Sequence, residues 1–153
     1  MPTTRLRRTL PAAPADVWAI LNDPYHQARW WPRVRRIEGV DLDRFTQVLG
    51  TARGKGVRAD FRILAREEEE LLQWSQELKG SPFERLLDEA ITTFTLTPAG
   101  DDSGSTEIAV ELRQRLRGWS RLAPFLFKGA AKRQLGEALD GLADAVAPAP
   151  AGQ

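Results

Sequence analysis

The stretch that decides the fold of this chain is WSRLAPFLFKGAAKRQLGEALDGLADAV, which runs from Trp119 to Val146. Its apolar residues recur mostly at spacings of three and four, with charged residues largely between them, which predicts one long amphipathic helix. The apolar positions are Leu122, Phe125, Leu126, Ala130, Leu135, Leu139, Leu142 and Val146. About 25 helical residues span about 37 Å, enough to cross a small sheet from edge to edge. Because so wide an apolar stripe needs a partner surface, we expect a sheet to cover it.

The chain before this helix has the pattern of strands joined by tight turns, with two short helices near its start. Pro14–Leu21 is predicted as the first helix, because proline suits a first helical turn, and Tyr25–Trp31 is predicted as the second. The predicted strands are Thr3–Leu10, Val34–Asp41, Arg44–Arg53, Val57–Ile63, Leu72–Leu78, Glu84–Thr97 and Thr106–Arg113. We therefore expect an α+β fold, with a curved antiparallel sheet of about six to seven strands wrapped around the long C-terminal helix.

Length and composition indicate an ordinary globular protein. We expect one domain over residues 1–147 and a flexible tail over 148–153, where Pro, Ala and Gly leave nothing to bury. Lys and Arg number 22 against 21 Asp and Glu, so the charge of +1 gives no reason to expect nucleic acid as a partner. The chain has no cysteine, which fits a cytoplasmic location. No apolar run approaches the roughly 18 residues of a membrane span. The oligomeric state is not decided by the sequence.

Several kinds of catalytic site are excluded by the residue inventory. The segment Gly50–Gly56 superficially resembles a phosphate loop, but it is one residue short and lacks the Ser or Thr after the lysine. With one histidine and no cysteine, a zinc site of the usual kind is not expected, and no Gly-x-Ser-x-Gly elbow is present. We expect no metal and no cofactor, and the sequence identifies no catalytic residue.

Three phrases of the sequence carry a resemblance to a known superfamily. They are LPAAPADVWAILND (10–23), RWWPRV (29–34) and FTLTPAGDDSGST (94–106). They resemble, in order, the opening phrase, the phrase that follows it and the late hairpin of the START/Bet v 1-like (SRPBCC) superfamily. The subgroup that the chain most resembles is the polyketide cyclase/dehydrase and lipid-transport type. The resemblance covers nearly the whole chain and implies the helix-grip fold, in which a pocket lies between the sheet and the long helix.

The apolar strand faces and the helix are predicted to line that pocket. The candidates are Phe61, Ile63, Trp74, Phe94, Ile108 and Val110 from strands, and Phe127, Ala131 and Leu135 from the helix. Gln76 and Gln114 share strand faces with apolar neighbours and are candidates for hydrogen bonds to a ligand. The alternative is that these side chains simply fill a core, as most apolar stripes do.

Two further groups of residues are candidates for chemistry. Tyr25, His26, Trp30 and Trp31 form an aromatic cluster expected near the pocket mouth, and His26 is the only ordinary candidate for proton transfer near neutral pH. The alternative is an incidental loop histidine. Arg8 lies on an apolar strand face, where it either turns outward or meets an acid such as Asp88, Glu89 or a ligand carboxylate.

Arginines form two clusters, whose possible roles are docking to anionic lipid or phosphate, or simple solvation of strand edges. They are Arg33, Arg35 and Arg36, and Arg113, Arg115, Arg117 and Arg121.

These observations leave three functional hypotheses. The first is a cytoplasmic protein that binds a hydrophobic small molecule, such as a lipid, a polyketide-like aromatic or an isoprenoid, between sheet and helix. The second is a cyclase/dehydrase-type enzyme, in which a Tyr25/His26 or Arg8/acid pair moves protons. The third is a co-chaperone-like interaction module, which predicts a filled core and an exposed apolar patch.

Overall fold

The computed structural model describes residues 2–51, 54, 56–100 and 104–147. Within these ranges seven strands form one antiparallel sheet in the order β1-β7-β6-β5-β4-β3-β2. The strands are β1 (Thr3–Leu10), β2 (Val34–Glu38), β3 (Arg44–Leu49), β4 (Val57–Glu67), β5 (Leu71–Glu77), β6 (Leu87–Pro98) and β7 (Thr106–Leu116). The helices are α1 (Pro14–Leu21), α2 (Gln27–Trp30) and α3 (Pro124–Val146), with 3-10 turns at Pro24–His26 and Gly118–Leu122. The helix-grip arrangement of curved sheet and long helix is confirmed.

Strand alternation decides which face of the sheet meets the helix. In β7 the residues Thr106, Ile108, Val110 and Leu112 are buried, whereas the residues between them are partly exposed. A side-chain period of two puts all four on the concave face, as the sequence pattern predicted. The core therefore lies between this face and α3.

Several predicted boundaries shift in the structure. β2 ends at Glu38 rather than Asp41, and β3 ends at Leu49 rather than Arg53. β6 begins at Leu87 rather than Glu84, because a turn precedes it in which the Leu86 N–H donates to the Phe83 carbonyl at 3.0 Å. The end of the predicted strand Arg44–Arg53 (residues 52 and 53), parts of the predicted turns (55 and 101–103) and the predicted tail (148–153) lie outside the described residues.

The long helix begins at Pro124, five residues after the predicted start at Trp119. The buried Ser120 holds the preceding turn, because its hydroxyl donates to the Leu86 carbonyl at 2.7 Å and accepts from the Arg117 N–H at 3.1 Å. Ala123 then takes a non-helical conformation, with φ −134° and ψ 53°. The part of the predicted stripe before Ala131 is therefore not buried. Among the described residues, no helix is both long and apolar enough to cross a membrane.

The second half of α3 is held close to the body of the protein. Its buried residues are Ala131, Leu135, Ala138, Leu139 and Leu142. At Gly141 the helix backbone approaches α2 so closely that an added Cβ would lie 2.4 Å from the Trp30 carbonyl oxygen. A backbone atom cannot move aside as a side-chain tip can, so glycine is required at this crossing.

We predict that Gly141→Ala destabilises the protein by about 2 kcal/mol or more, because overpacking against backbone forces α2 and α3 apart. The measurement is the free energy of unfolding in urea. Gly129→Ala is the matched control: its added Cβ would meet nothing within 4 Å, so it should stabilise the same helix by about 0.5–1 kcal/mol. Equal effects of the two substitutions would contradict the close crossing.

Candidate functional site

A cavity of about 480 Å³ lies between the concave face of the sheet and the first half of α3. Its walls come from strands β3 to β7, from α3 and from the segments before β2 and β6. The lining residues are Trp31, Pro32, Arg33, Gln47, Leu49, Gly50, Thr51, Val57, Ala59, Phe61, Trp74, Gln76, Phe83, Leu86, Leu87, Ala90, Thr92, Leu112, Gln114, Phe127 and Gln134. The volume falls within the range of roughly 300–1,000 Å³ that is typical of small-molecule sites.

Trp74 on β5 lies at the centre of an aromatic cluster beside the cavity. Its ring centroid is 5.0 Å from that of Phe94, 5.3 Å from Phe45, 5.7 Å from Trp31 and 6.1 Å from Phe61, in tilted or edge-on geometries. Such pairs contribute about 0.5–1.5 kcal/mol each beyond the apolar area they bury. The cluster therefore gives the cavity a well-packed wall between β3 and β6.

The Trp74 indole is also an unsatisfied donor. Its Nε1 is buried and has no hydrogen-bond partner in the described part of the chain. A buried donor without an acceptor costs about 1–3 kcal/mol. Because this nitrogen is fully enclosed by protein atoms, the N–H does not open onto the cavity, and the Trp74 ring contributes to the wall as an apolar surface.

Two glutamine amides flank the centre of the cavity. Ala90 on β6 pairs with Gln114 on β7, and Ile91 pairs with Ser75, the neighbour of Gln76 on β5. Gln76 and Gln114 therefore lie on either side of Ala90 on the concave face, about 10 Å apart at the usual strand spacing. Neither side-chain amide is hydrogen-bonded to another described residue. Both are free to bind a ligand that reaches the small side chain of Ala90.

A buried hydrogen bond positions the wall on the α2 side. The Gln47 side-chain amide on β3 donates to the Gln27 carbonyl oxygen on α2 at 2.7 Å, and both residues are almost completely buried. This bond ties α2 to the sheet and so supports the Trp31 ring, which follows α2 and lines the cavity. Because the two amides satisfy each other, they are less available to a ligand than Gln76 and Gln114.

Arg33 is the only ionisable side chain among the described lining residues. It is exposed, so it lies at the rim, and its φ of 67° is in the left-handed region, which is uncommon for a residue other than glycine. The Gly50 N–H donates to its carbonyl at 2.8 Å, which holds the rim segment against the end of β3. The interior is otherwise apolar or neutral. Outside the cavity, hydrogen bonds from Arg36 and Arg58 hold the pKa of Glu38 below its ordinary value.

The structure brings five of the predicted site residues together at the cavity: Phe61, Trp74, Gln76, Gln114 and Phe127. Ala131 is buried beside a smaller pocket that it shares with Phe127 and Gln134. The other predicted lining residues belong to the core outside the cavity lining. They are Ile63, Phe94, Ile108, Val110 and Leu135. Ligand contact by any of these side chains remains a prediction.

The predicted aromatic cluster near the mouth is divided. Trp30 is buried and packs edge-on against Phe94, with ring centroids 5.8 Å apart. Tyr25 is 64% exposed, and the His26 ring lies 3.6 Å from the Asp23 carboxylate. Neither Tyr25 nor His26 lines the cavity. The proton-transfer pair that the enzyme hypothesis invoked is therefore separated from the interior.

Arg8 pairs with Asp140, which was not among its predicted partners. Its guanidinium donates to the Asp140 carboxylate on α3, with the arginine side chain about one-third exposed. It therefore reaches neither Asp88, Glu89 nor the cavity. The reason is that α3 crosses β1 at this point, as shown by Leu6, which lies 3.9 Å from a Cβ placed on Gly136.

The arginine clusters are partly neutralised. Arg113 and Arg115 each lie 3.9 Å from the Glu89 carboxylate, and Arg117 lies 3.7 Å from Asp88. Arg36 pairs with Glu38 at 2.7 Å. At such distances between exposed groups, most of these contacts contribute little to stability. Arg121, in contrast, makes no ion pair with a described residue.

Sequence reasoning missed several lining residues, although a signal for some of them was present. Val57 and Ala59 alternate in step with Phe61, and Leu112 alternates with Val110, so their face was predictable. Which residues of that face lie at the cavity, further along or nearer the start of each strand, was not predictable. The cavity lies at the end of the sheet formed by the start of β4 and β6 and the end of β7, whereas alternation identifies only a face.

The comparisons with known proteins agree with this geometry. The model of the family described as "Polyketide cyclase / dehydrase and lipid transport" matches residues 1–147, so the chain belongs to this family. A START superfamily protein from Mycobacterium smegmatis has a TM-score of 0.76 at 13% identity, covering 94% of this chain and 96% of that one.

Two further solved structures share the fold. Zhui aromatase/cyclase from a Streptomyces species, R1128, has a TM-score of 0.76 at 13% identity, with 94% and 92% of the two chains covered. The protein TTHA0849 from Thermus thermophilus has a TM-score of 0.73 at 23% identity, covering 95% and 97%. No curated protein matches the chain. At these identities the structural likenesses establish the fold alone.

We predict that Trp74→Ala destabilises the protein by about 3–5 kcal/mol, because it removes the centre of the aromatic cluster and leaves a void. The measurement is the denaturant concentration at the midpoint of unfolding, which reports stability when the variant and the unaltered protein have the same dependence of free energy on denaturant. Trp119→Ala is the matched control, since Trp119 is 69% exposed and its truncation should change stability by less than about 0.5 kcal/mol. A small effect at Trp74 would show that the wall is not well packed.

Proposed function

We propose that this protein binds a hydrophobic small molecule in the cavity between the sheet and α3. The observation that carries the proposal is the cavity itself, about 480 Å³ of space in a fold whose remaining interior is filled by buried side chains. Apolar walls supply affinity of about 25 cal/mol for each Å² of apolar ligand surface removed from water. A few polar groups then orient the ligand, as in most sites of this kind.

The chemistry of the walls defines the class of ligand. The amides of Gln76 and Gln114 favour a ligand that carries neutral hydrogen-bonding oxygens on an apolar body. The one cation of the described lining, Arg33, lies exposed at the rim, so a carboxylate or phosphate deep inside would be buried without a cationic partner, which is costly. An aromatic polyketide-like compound or an isoprenoid alcohol or quinone fits these walls better than a ligand with a buried charge.

The cavity and its lining favour ligand binding over the enzyme hypothesis and over the co-chaperone-like hypothesis. General acid–base catalysis requires a titrating group within hydrogen-bond reach of the substrate, and the described lining supplies no carboxylate, histidine or lysine. The co-chaperone-like hypothesis expected a filled core and an exposed apolar patch, and the cavity does not support the first of these. The cytoplasmic location expected from the sequence remains a prediction.

The first experiment is native mass spectrometry of the freshly purified protein, followed by organic extraction of any bound compound. We expect an additional mass that is released as an apolar molecule with oxygen functions. Titration with N-phenyl-1-naphthylamine, an uncharged fluorescent probe, then gives the affinity of the empty cavity. A bare mass together with no saturable probe fluorescence would contradict the proposal.

We predict that Ala90→Leu weakens probe binding by about tenfold or more, because three added carbons occupy the space between the two amides. Ala109→Leu is the matched control: Ala109 lies on the other face of the sheet, in β7, and its substitution should change binding by less than about twofold. Equal affinities of Ala90→Leu and the unaltered protein would place the probe outside the cavity.

We further predict that the amides discriminate between ligands. Gln76→Leu and Gln114→Leu should each weaken binding of 1-naphthol by about fivefold to tenfold and leave 1-methylnaphthalene almost unaffected, since a leucine of similar volume removes only the hydrogen bond. The measurement is competition with the fluorescent probe. A parallel loss for both compounds would indicate a change in shape rather than in hydrogen bonding.

A further inference from the structure

An exposed apolar patch lies where the 3-10 turn at Gly118–Leu122 meets the first turn of α3. Its side chains are among the most exposed large apolar groups of the described chain: Trp119 is 69% exposed, Leu122 85%, Phe125 71% and Leu126 59%. The other large apolar side chains of comparable exposure are scattered, and single ones are normal on protein surfaces. Four together within eight residues indicate an interaction site.

The sequence that carries the patch has charges of one sign, although Arg113, Arg115 and Arg117 face Glu89 and Asp88 from β6. The segment Leu112–Gly136 contains seven Lys and Arg and no Asp or Glu, although the whole chain is nearly neutral. Arg121, Lys128, Lys132 and Arg133 make no ion pair with any described residue. The dipole of α3 does not account for this distribution. A helix dipole favours acidic residues in the first turn and basic residues in the last, and α3 has neither.

Helical spacing places Lys128, Lys132 and Arg133 on the same side of α3 as the exposed apolar residues, one or two turns further along the helix. Lys132 follows Phe125 by seven residues, and Arg133 follows Leu126 by seven, so each shares a face with its apolar partner two turns further along. Lys128 lies one turn beyond Phe125. Side chains of this length can extend their charges along the helix towards its start. The result is an apolar tip with four cations beside it that are unpaired within the described part of the chain.

The geometry points to an anionic lipid surface as the partner of this tip, and we propose that the protein docks there through it. Aromatic and aliphatic side chains beside Lys and Arg are the composition of interfacial membrane-binding segments. A side chain as exposed as Leu122 projects free of neighbours. Fluid lipid accepts such a projection without a matching shape, whereas a protein partner would have to supply a pocket for it. This proposal does not depend on the cavity being occupied.

The docking site is also next to the cavity. Phe127 lies in the first turn of α3 and lines the cavity, while Phe125 and Leu126 on the same turn are exposed. Docking through the tip therefore brings the cavity end of the molecule to the membrane surface rather than the end at Arg8 and Asp140.

The test is flotation of the full-length protein with vesicles of phosphatidylcholine alone or with 30% phosphatidylglycerol, at low and high salt. We expect binding to the anionic vesicles and its loss in high salt, which screens the lysine and arginine charges. Leu122→Ser/Phe125→Ser should weaken binding by about tenfold or more. Lys128→Glu should weaken vesicle binding by about fivefold or more, because about fivefold is the contribution of one lysine near an anionic surface.

Two matched controls exclude general effects of polarity and charge. Leu42→Ser changes a side chain that is also 85% exposed, and Arg7→Glu reverses one exposed cation on β1, so both should bind vesicles as the unaltered protein does. Vesicles of brominated phosphatidylcholine with phosphatidylglycerol provide a second measurement: they should quench tryptophan fluorescence, and Trp119→Phe should remove most of that quenching.

The proposal is overturned if anionic vesicles do not bind, or if Leu122→Ser/Phe125→Ser binds them as well as Leu42→Ser does. It is also overturned if the patch instead mediates self-association, seen as a dimer by light scattering that the double substitution abolishes without any vesicle binding. Failure of the cavity proposal is distinguishable, because Ala90→Leu should still dock to vesicles and Leu122→Ser/Phe125→Ser should still bind the naphthylamine probe.

Discussion

The close crossing of Gly141 over Trp30 determines how α3 lies on the sheet, and the rest of the structure depends on it. At this point the helix backbone touches α2, and the buried leucines of the second half of α3 fill the space between helix and sheet. In the first half, Phe127 is only partly buried, and residues 124–126 and 128–130 are exposed. The helix is thus held down at one end, and the cavity occupies the space under the other.

Two layers of support keep that space open. On one side the aromatic cluster around Trp74 packs edge-on, a geometry that resists collapse because each ring is held by several neighbours. On the other, the Gln27–Gln47 hydrogen bond connects α2 to β3 beneath Trp31. The Gln76 and Gln114 amides in the walls, which are unpaired among the described residues, are neutral. This fold is shared by a family whose description includes both cyclases and lipid transport, and the walls of the individual cavity, not the fold, decide between such functions.

The cavity and the exposed tip of α3 belong to one end of the molecule, yet they have different physical character. The cavity is apolar with neutral amides, and it selects against charge. The tip is apolar with unpaired cations, and it favours an anionic surface. In our proposals one site holds a ligand and the other brings the protein to the phase in which apolar compounds accumulate. Each rests on its own side chains, since the residues of the tip do not line the cavity and the amides do not reach the surface patch.

The sequence by itself determined the fold class, the two short helices and the faces of the strands. Pro14–Leu21 and Thr3–Leu10 were predicted at their observed bounds, because caps, prolines and a side-chain period of two are local signals. The start of α3 was predicted five residues early, because the turn that replaces it depends on Ser120 bonding to Leu86, far away in sequence.

Only the tertiary structure decided where along the strands the cavity lies. Ile108 and Leu112 share one face of β7, yet Ile108 fills the core and Leu112 lines the cavity. It likewise decided that Arg8 meets Asp140, and that Phe125 is exposed although it belonged to the predicted buried stripe. The reason is that periodicity is a property of one element, whereas burial depends on the distance between two elements. That distance depends on contacts between elements far apart in sequence, among them that of Gly141 with Trp30, which no local pattern encodes.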